Sequence, residues 1–221
     1  MKREDWDRRY AERELVWSAE PNRFLVAETE ALPPGRALDL ACGEGRSALW
    51  LAERGWQVTA VDYSGVALEK ARRIAERRGV AVDWVLADLL DYEPEAGAFG
   101  LVLVLYLHVL GDERRRILAR AAAAVAPGGT FLLVGHDLTN LTAGWGGPSD
   151  ASLLYTPDEI AGELPGLEIV KAERVYRRPE EAERDAVDAL VRAQRTRTAA
   201  SAKSARGSRR RRAASGRSAR R

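Results

Sequence analysis

The sequence predicts an α/β fold in which helices cover both faces of one doubly wound, mostly parallel sheet. Short apolar segments rich in Val, Leu and Ile alternate with longer segments whose apolar residues recur every three or four positions. Five such short segments lie between residues 36 and 136. Two further alternating or β-branched segments, 167–175 and 186–192, predict an antiparallel C-terminal hairpin that brings the sheet to seven strands.

The elements follow in order from these patterns. Parallel strands are predicted at 36–41, 57–61, 82–86, 101–105 and 130–136, and helices at 45–54, 65–78 and 112–125. Ser64 suits the N-cap of the second of these helices, and Gly79 suits its C-terminal stop. The Pro-Gly-Gly sequence at 127–129 is predicted to break the chain ahead of the fifth strand.

Length and composition limit the organisation of the chain. With 221 residues and 46% hydrophobic composition, it fits one domain, predicted at 33–195. Its longest apolar stretch, 99–110, is shorter than the ~20 residues that a membrane helix needs, and its N-terminus is charged, so we expect a cytoplasmic protein with no membrane partner. One cysteine and two histidines exclude an internal disulfide and make a metal site improbable.

The basic charge is concentrated at the C-terminus. Residues 192–221 hold eleven Arg, one Lys and no acidic residue, whereas residues 1–191 hold 23 basic and 33 acidic side chains. The acidic body argues against a nucleic-acid groove. The tail, 196–221, is predicted to be disordered and is either a basic arm for nucleic acid or a composition typical of GC-rich coding. The oligomeric state is left open.

The chemistry is indicated by a glycine turn that follows the first strand. Gly43, Gly45 and Ala48 fit the loose G-x-G-x-x-G/A pattern of dinucleotide sites, where backbone amides hold a pyrophosphate. Asp39 lies just before this turn and would repel a phosphate. S-adenosylmethionine instead brings a sulfonium and an amino group, both of which a carboxylate attracts. The turn therefore predicts a methyl-donor site.

The runs 38–46, 58–64 and 87–88 resemble class I S-adenosylmethionine-dependent methyltransferases, most closely the small-molecule branch that includes tellurite-resistance and thiopurine methyltransferases. The resemblance implies a Rossmann-like sheet. It also implies that Asp39 holds the amino group, that Asp62 binds the ribose hydroxyls and that Asp88 reads the adenine. The implied cofactor-binding set is Asp39, Ala41, Gly43, Gly45, Asp62, Tyr63, Ala87, Asp88, Leu89 and Leu105. The Asn/Asp-Pro-Pro-Tyr signatures of base-methylating enzymes are absent from the sequence.

The N-terminal segment, 1–32, is predicted to be helical. Trp6 and Tyr10 share one helical face, which suits an amphipathic helix packed on the sheet. The resemblance implies a further role as a lid over the cofactor, with Trp17 among the residues nearest to it.

Acceptor-side groups are expected in loops at the carboxyl ends of the strands. Tyr106 and His108 follow the fourth strand, and His136 ends the fifth. Either histidine could be a general base, although a structural role is the alternative for each. Asp137 cannot simply orient His136, because adjacent strand residues point to opposite faces. Trp145, in the loop 140–155, is predicted to close an aromatic pocket or else to pack on the surface.

The leading hypothesis is therefore a methyltransferase that uses S-adenosylmethionine and acts on a small molecule, with a thiol, a hydroxyl or a chalcogen oxyanion as acceptor. Two alternatives stay open. One is a nucleic-acid-binding or nucleic-acid-modifying protein that uses the basic tail. The other is an NAD-dependent oxidoreductase with the same glycine turn.

Overall fold

A computed structural model describes residues 3–16, 20–179 and 182–197 of the chain. Its strands are β1 (Arg36–Leu40), β2 (Gln57–Asp62), β3 (Asp83–Leu86), β4 (Phe99–Leu105), β5 (Val125–His136), β6 (Glu168–Arg177) and β7 (Ala186–Gln194). Its α-helices are α1 (Arg3–Ala11), α2 (Arg23–Thr29), α3 (Arg46–Glu53), α4 (Gly65–Arg78), α5 (Gly111–Ala124), α6 (Asn140–Ala143) and α7 (Pro157–Gly162). A 3₁₀ turn spans Ala151–Leu153.

The strands form one seven-stranded sheet in the order β3-β2-β1-β4-β5-β7-β6. The first five strands run parallel, and β7 runs antiparallel to both β5 and β6. The predicted doubly wound sheet with an antiparallel C-terminal pair is confirmed. Because the strand order reverses between β1 and β4, a crevice opens at the carboxyl ends of these two strands, where open α/β sheets place their ligands.

The core lies on both faces of the sheet. One face packs against Ile117 and Leu118 of α5 and Ile160 of α7. The other packs against Leu25 of α2 and Trp50 of α3. Strand residues such as those of β4 are buried on both sides, which explains why the parallel strands appear in the sequence as short, nearly continuous apolar runs.

The predicted caps of α4 are confirmed. Ser64 accepts a hydrogen bond from the Ala67 N–H at 3.2 Å, and Gly79 ends the helix with a φ of 65°. The N-terminal segment differs from the prediction, since α1 and α2 are separate short helices. Asn22 caps α2 by accepting hydrogen bonds from the N–H groups of Phe24 and Leu25, so a polar side chain starts a new helix there.

The Pro-Gly-Gly sequence was predicted to precede the fifth strand. In the structure it lies inside β5. The register shifts there, because Phe99 pairs with Val125 and Leu101 pairs with Thr130. The intervening residues form an irregularity that bends the strand without ending it. The prediction also missed α6 and α7, which are only four and six residues long.

No helix among the described residues is both long and apolar enough to cross a membrane. Most of the basic tail, residues 198–221, lies outside the described residues, so its predicted disorder and nucleic-acid role stay predictions.

Candidate active site

A cavity of about 2010 Å³ lies at the carboxyl ends of the parallel strands. Most of the residues predicted to bind the cofactor line it: Asp39, Ala41, Gly43, Asp62, Tyr63, Ala87, Asp88, Leu89 and Leu105. Tyr106, His108 and His136 from the predicted acceptor side line the same cavity. The fold thus brings both halves of the predicted site to one crevice.

Asp39 is a buried carboxylate that lines the strand-end cavity. Its residue is 2% exposed, and its Oδ2 atom has no hydrogen-bond partner among the described residues. Burial, followed by the nearby Asp62 carboxylate, raises the pKa of Asp39 to about 7. The Arg46 cation and a hydrogen bond from the Ala48 backbone oppose this rise, but Oδ2 itself has no donor among the described residues, which is unfavourable for a buried acceptor. The atom therefore suits a ligand that carries a cationic nitrogen.

Asp62, at the end of β2, is held by the backbone around it. Its Oδ2 accepts a hydrogen bond from the Gly43 N–H at 2.8 Å, and its Oδ1 accepts one from the Ser64 N–H at 2.9 Å. Burial raises the pKa of Asp62, and these backbone donors oppose that rise. Asp62 thus fixes the glycine turn to the second strand, and each oxygen keeps capacity for a further donor.

Gly45 has a structural role that the motif did not reveal. It has a φ of 76° and does not line the cavity. A Cβ atom there would lie 2.4 Å from Cη2 of Trp84 and 3.2 Å from Cβ of Ala71. Gly45 therefore lets the start of α3 pack on the indole ring.

We expect Gly45→Ala to lower the free energy of unfolding by more than the strain of a left-handed alanine backbone alone would cost. The strain of φ costs about 1–2 kcal/mol, and the collision with Trp84 adds about 1–3 kcal/mol. The control is Gly79→Ala, because Gly79 has a φ of 65° with nothing within 4 Å of its added Cβ. Urea unfolding of both variants tests this. Equal losses of stability would contradict the proposed contact.

Within the part of the chain that the structure describes, two non-glycine residues have left-handed backbones, and they lie at adjacent strand ends. Ala41 follows β1 with a φ of 60°, and Tyr106 follows β4 with a φ of 57°. The Tyr106 N–H donates to the Val134 carbonyl at 2.7 Å, which holds this conformation. Such strain concentrates at functional sites, and both residues line the cavity.

The N-terminal segment contacts the glycine turn. The Val16 N–H donates to Glu44 Oε2 at 2.9 Å, and Lys70 Nζ lies 3.2 Å from Glu44 Oε1. Lys70 also donates to the backbone carbonyls of Tyr10 and Arg13. These contacts place the segment against the cavity, but the lid stays a prediction, and Trp17 lies outside the described residues.

The adenine-side candidates lie together after β3. The Asp88 carboxylate accepts a hydrogen bond from the Leu90 N–H at 2.9 Å and stays exposed to the cavity. Burial raises the pKa of Tyr63 to about 12, and the Asp62 carboxylate contributes to this rise. Leu89, the residue after Asp88, is buried and lines the same cavity. An apolar side chain, Leu89, and a hydrogen-bond acceptor, the Asp88 carboxylate, therefore line the same part of the cavity.

The structure adds two polar residues, Asp188 and Arg177, beside the predicted Tyr106 and His136. The hydroxyl of Tyr106 donates to Asp188 Oδ2 at 2.7 Å, and Arg177 Nε donates to the same oxygen at 2.7 Å. Nδ1 of His136 lies 3.3 Å from Asp188 Oδ1. Asp188 and Arg177 come from the antiparallel strands β7 and β6. They are far in sequence from Tyr106 and His136, so no local sequence motif predicts their contact.

Asp137 and Trp145 are separate from this cluster. Asp137 is fully buried, and its Oδ1 accepts hydrogen bonds from Arg174 Nε at 2.9 Å and from Thr139. It does not orient His136, in line with the alternation of strand side chains. Trp145 is 37% exposed and does not line the cavity, whereas Gly147 and neighbouring loop residues do.

No group of three or more His, Cys, Asp or Glu side chains among the described residues is arranged to hold a metal ion. Cys42 lies in the glycine turn, where burial and the carboxylates of Asp39 and Asp62 raise the pKa of its thiol.

Comparison with known proteins agrees with this geometry. A sequence model described as a methyltransferase domain matches residues 37–129. The ubiquinone biosynthesis O-methyltransferase of Methylocella silvestris is 30% identical, over 67% of this chain and 62% of that protein. The S-adenosyl-L-methionine-dependent Diels-Alderase of Talaromyces variabilis is 36% identical, over 47% of this chain and 37% of that protein.

Among solved structures, the 1,6-didemethyltoxoflavin-N1-methyltransferase of Burkholderia thailandensis, with its substrate and S-adenosylhomocysteine bound, has a TM-score of 0.64 and 25% identity. The match covers 88% of this chain and 87% of that chain. The chain spans about a third to a half of the length of several curated relatives that it matches. The narrower likeness to tellurite-resistance and thiopurine methyltransferases stays a prediction. Matched motif, sheet order and relatives together place this chain in the class I S-adenosylmethionine-dependent methyltransferase family.

Proposed function

We propose that this protein transfers a methyl group from S-adenosylmethionine to a small-molecule acceptor. The observation that carries the proposal is the unpaired Oδ2 of Asp39, buried in the wall of the strand-end cavity. A phosphate-bearing cofactor would meet a repelling charge at this point, whereas an amino group would complete the carboxylate. The buried acceptor atom of Asp39 therefore fits the amino group of S-adenosylmethionine.

The proposed arrangement assigns the two ends of the cavity different roles. Asp39 holds the cationic end of the donor, and Asp62 and Asp88 bind the ribose and the adenine. The acceptor enters beside Tyr106 and His136. When bound, S-adenosylmethionine supplies a methyl carbon activated by its sulfonium. The protein then chiefly aligns the acceptor and excludes water, and proximity of this kind supplies ~7–11 kcal/mol in well-oriented reactions.

A small acceptor suits the charge of the molecule better than a nucleic acid does. Residues 1–191 hold ten more acidic than basic side chains. A polyphosphate approaching the catalytic domain would therefore be repelled. Relatives named as O- and N-methyltransferases support heteroatom acceptors as a class.

Calorimetric titration with S-adenosylhomocysteine and with NAD is the first test. We expect the first ligand to bind and the second not to bind. Transfer of tritium from methyl-labelled donor is then measured with catechol, 4-nitrocatechol, 4-nitrothiophenol and tellurite. Tight NAD binding without donor binding would overturn the proposal. Donor binding without transfer to any acceptor would contradict methyl transfer and leave the family membership intact.

A further inference from the structure

His136 lines the strand-end cavity, and its Nε2 makes no hydrogen bond to any described residue. We infer that His136 is the general base of the reaction, that Asp188 is its positioning residue, and that the acceptor carries a protic hydroxyl, thiol or ring N–H. This inference rests on the proposed function and narrows its acceptor class.

The first step of the argument is the pairing of His136 with Asp188. The two residues are direct partners across the antiparallel β5–β7 ladder, so their side chains lie on the same face. His136 Nδ1 and Asp188 Oδ1 are 3.3 Å apart, within ion-pair distance but without hydrogen-bond geometry, and neither of these buried atoms has a hydrogen-bond partner among the described residues. Oδ1 can only accept when the carboxylate is ionised, so this pairing favours the proton on Nδ1.

The second step is the charge of Asp188. Burial alone would raise its pKa, but its contacts with His136, Arg177 and Tyr106 hold it below the ordinary value. Arg177 Nε and the Tyr106 hydroxyl both donate to Oδ2, and Arg177 Nε also donates to the Tyr106 oxygen at 2.9 Å. Asp188 therefore stays anionic beside His136 and can balance an imidazolium there.

The third step is the unoccupied atom. His136 Nε2 makes no hydrogen bond to any residue that the structure describes, and the ring lines the cavity. Gly147 covers the ring from the following loop, where a Cβ atom would lie 2.7 Å from Cδ2 and 2.9 Å from Nε2. With the proton on Nδ1, the lone pair of Nε2 is available to a group inside the cavity.

His108 differs in each of these respects. Its Nδ1 lies 3.0 Å from the Leu153 carbonyl, which requires the proton on Nδ1, and its Nε2 faces the backbone N–H of His136 at 3.4 Å. Its ring stacks between those of His136 and Tyr155. Burial lowers the pKa of His108 to about 4. Both nitrogens are engaged, so His108 supports the base without taking the proton itself.

The reaction balances with these groups alone. The proton of the acceptor moves to His136 Nε2 while the acceptor atom forms its bond to the methyl carbon. The carbon–sulfur bond breaks, its electron pair stays on sulfur, and the charge that the donor loses appears on the imidazolium beside Asp188. A chalcogen oxyanion already has a free lone pair and needs no such base. The site is therefore built for an acceptor that must lose a proton.

The first experiment needs no acceptor. The chain has two histidines, and His108→Gln leaves one, so the ¹⁵N imidazole spectrum of His136 can be assigned directly. We expect the Nδ1–H tautomer at pH 8 and a loss of this preference in Asp188→Asn. The matched control is Asp185→Asn, since Asp185 pairs with Arg178 on the surface. An Nε2–H tautomer in the His108→Gln protein with Asp188 intact would overturn the inference, whichever acceptors the enzyme methylates.

The second experiment compares acceptors of different acidity in His136→Gln. We expect the methylation rate to fall about 100-fold or more with catechol, to fall less with 4-nitrocatechol, and not to fall with tellurite. An equal loss with every acceptor would assign His136 a structural role and overturn the inference while the proposed function stands. Failure of the wild-type protein to bind S-adenosylhomocysteine would instead remove the proposed function.

Discussion

We expect Asp39→Asn to abolish tight binding of S-adenosylhomocysteine and at the same time to stabilise the protein without ligand. Folding buries this carboxylate with Oδ2 unpaired and raises its pKa from 3.8 to about 7. In the folded protein the ionised form is therefore disfavoured by on the order of 4 kcal/mol. Asparagine keeps the shape and removes the charge. We expect the variant to gain up to that amount at pH 8, and to lose the attraction for a cationic nitrogen.

The sign of the pH dependence follows from the same shift. The unfolded chain releases the Asp39 proton near pH 4, and the folded protein holds it until about pH 7. Between these values the folded state binds more protons, so the Asp39 contribution to the free energy of unfolding falls as pH rises and levels off above pH 7. Affinity for S-adenosylhomocysteine should move in the opposite direction, because binding requires the carboxylate.

Urea unfolding and calorimetric titration at pH 5.5 and 8.5 test both statements. Titration in two buffers of different ionisation enthalpy should show that wild-type binding releases a proton at pH 6, and that Asp39→Asn binding does not. Asp91→Asn is the control, because Asp91 is an exposed residue in the same domain. A destabilised Asp39→Asn variant, or one with unchanged affinity, would show that the cavity does not use this carboxylate as proposed.

The sequence was most informative where local patterns decide the structure. Parallel strands are buried on both faces, so their apolar runs are visible without tertiary information, and α4 carries its own caps in Ser64 and Gly79. Asp39 and Asp62 could be named as site candidates because each lies at the carboxyl end of an apolar strand, Asp39 just before the glycine turn. These features depend on neighbours in the sequence, which explains why they could be predicted.

The acceptor wall could not be found in this way. Asp188 reaches His136 only through the register of β5 with β7, and Arg177 joins through β6. A shift of one residue in that register would turn Asp188 to the other face. The position of Trp145 outside the cavity could not be predicted either. Its loop takes its shape from contacts such as the hydrogen bond from Asn140 Nδ2 to the Gly146 carbonyl at 2.7 Å. Long-range pairing, and not composition, decides which of these side chains meet.

Asp62→Ala should abolish cofactor binding and also destabilise the protein, in contrast to Asp39→Asn. The two carboxylates lie near the carboxyl ends of neighbouring strands. Asp62 accepts hydrogen bonds from the Gly43 and Ser64 N–H groups, whereas Asp39 Oδ2 accepts none from the described residues. Alanine leaves both N–H groups without their acceptor, at about 1–3 kcal/mol for each buried donor. Relief of the buried charge offsets part of this loss.

Asp62→Asn separates the two effects, because its single amide oxygen still accepts from one of the two N–H groups. We expect urea unfolding to rank stability as wild type, then Asp62→Asn, then Asp62→Ala, and calorimetry to show at least a 100-fold loss of affinity for S-adenosylhomocysteine in both variants. If Asp62→Ala were as stable as Asp39→Asn, the glycine turn would hold its shape without its anchor on β2. Opposite signs at these neighbouring positions would instead show that one carboxylate builds the turn and the other is kept for the ligand.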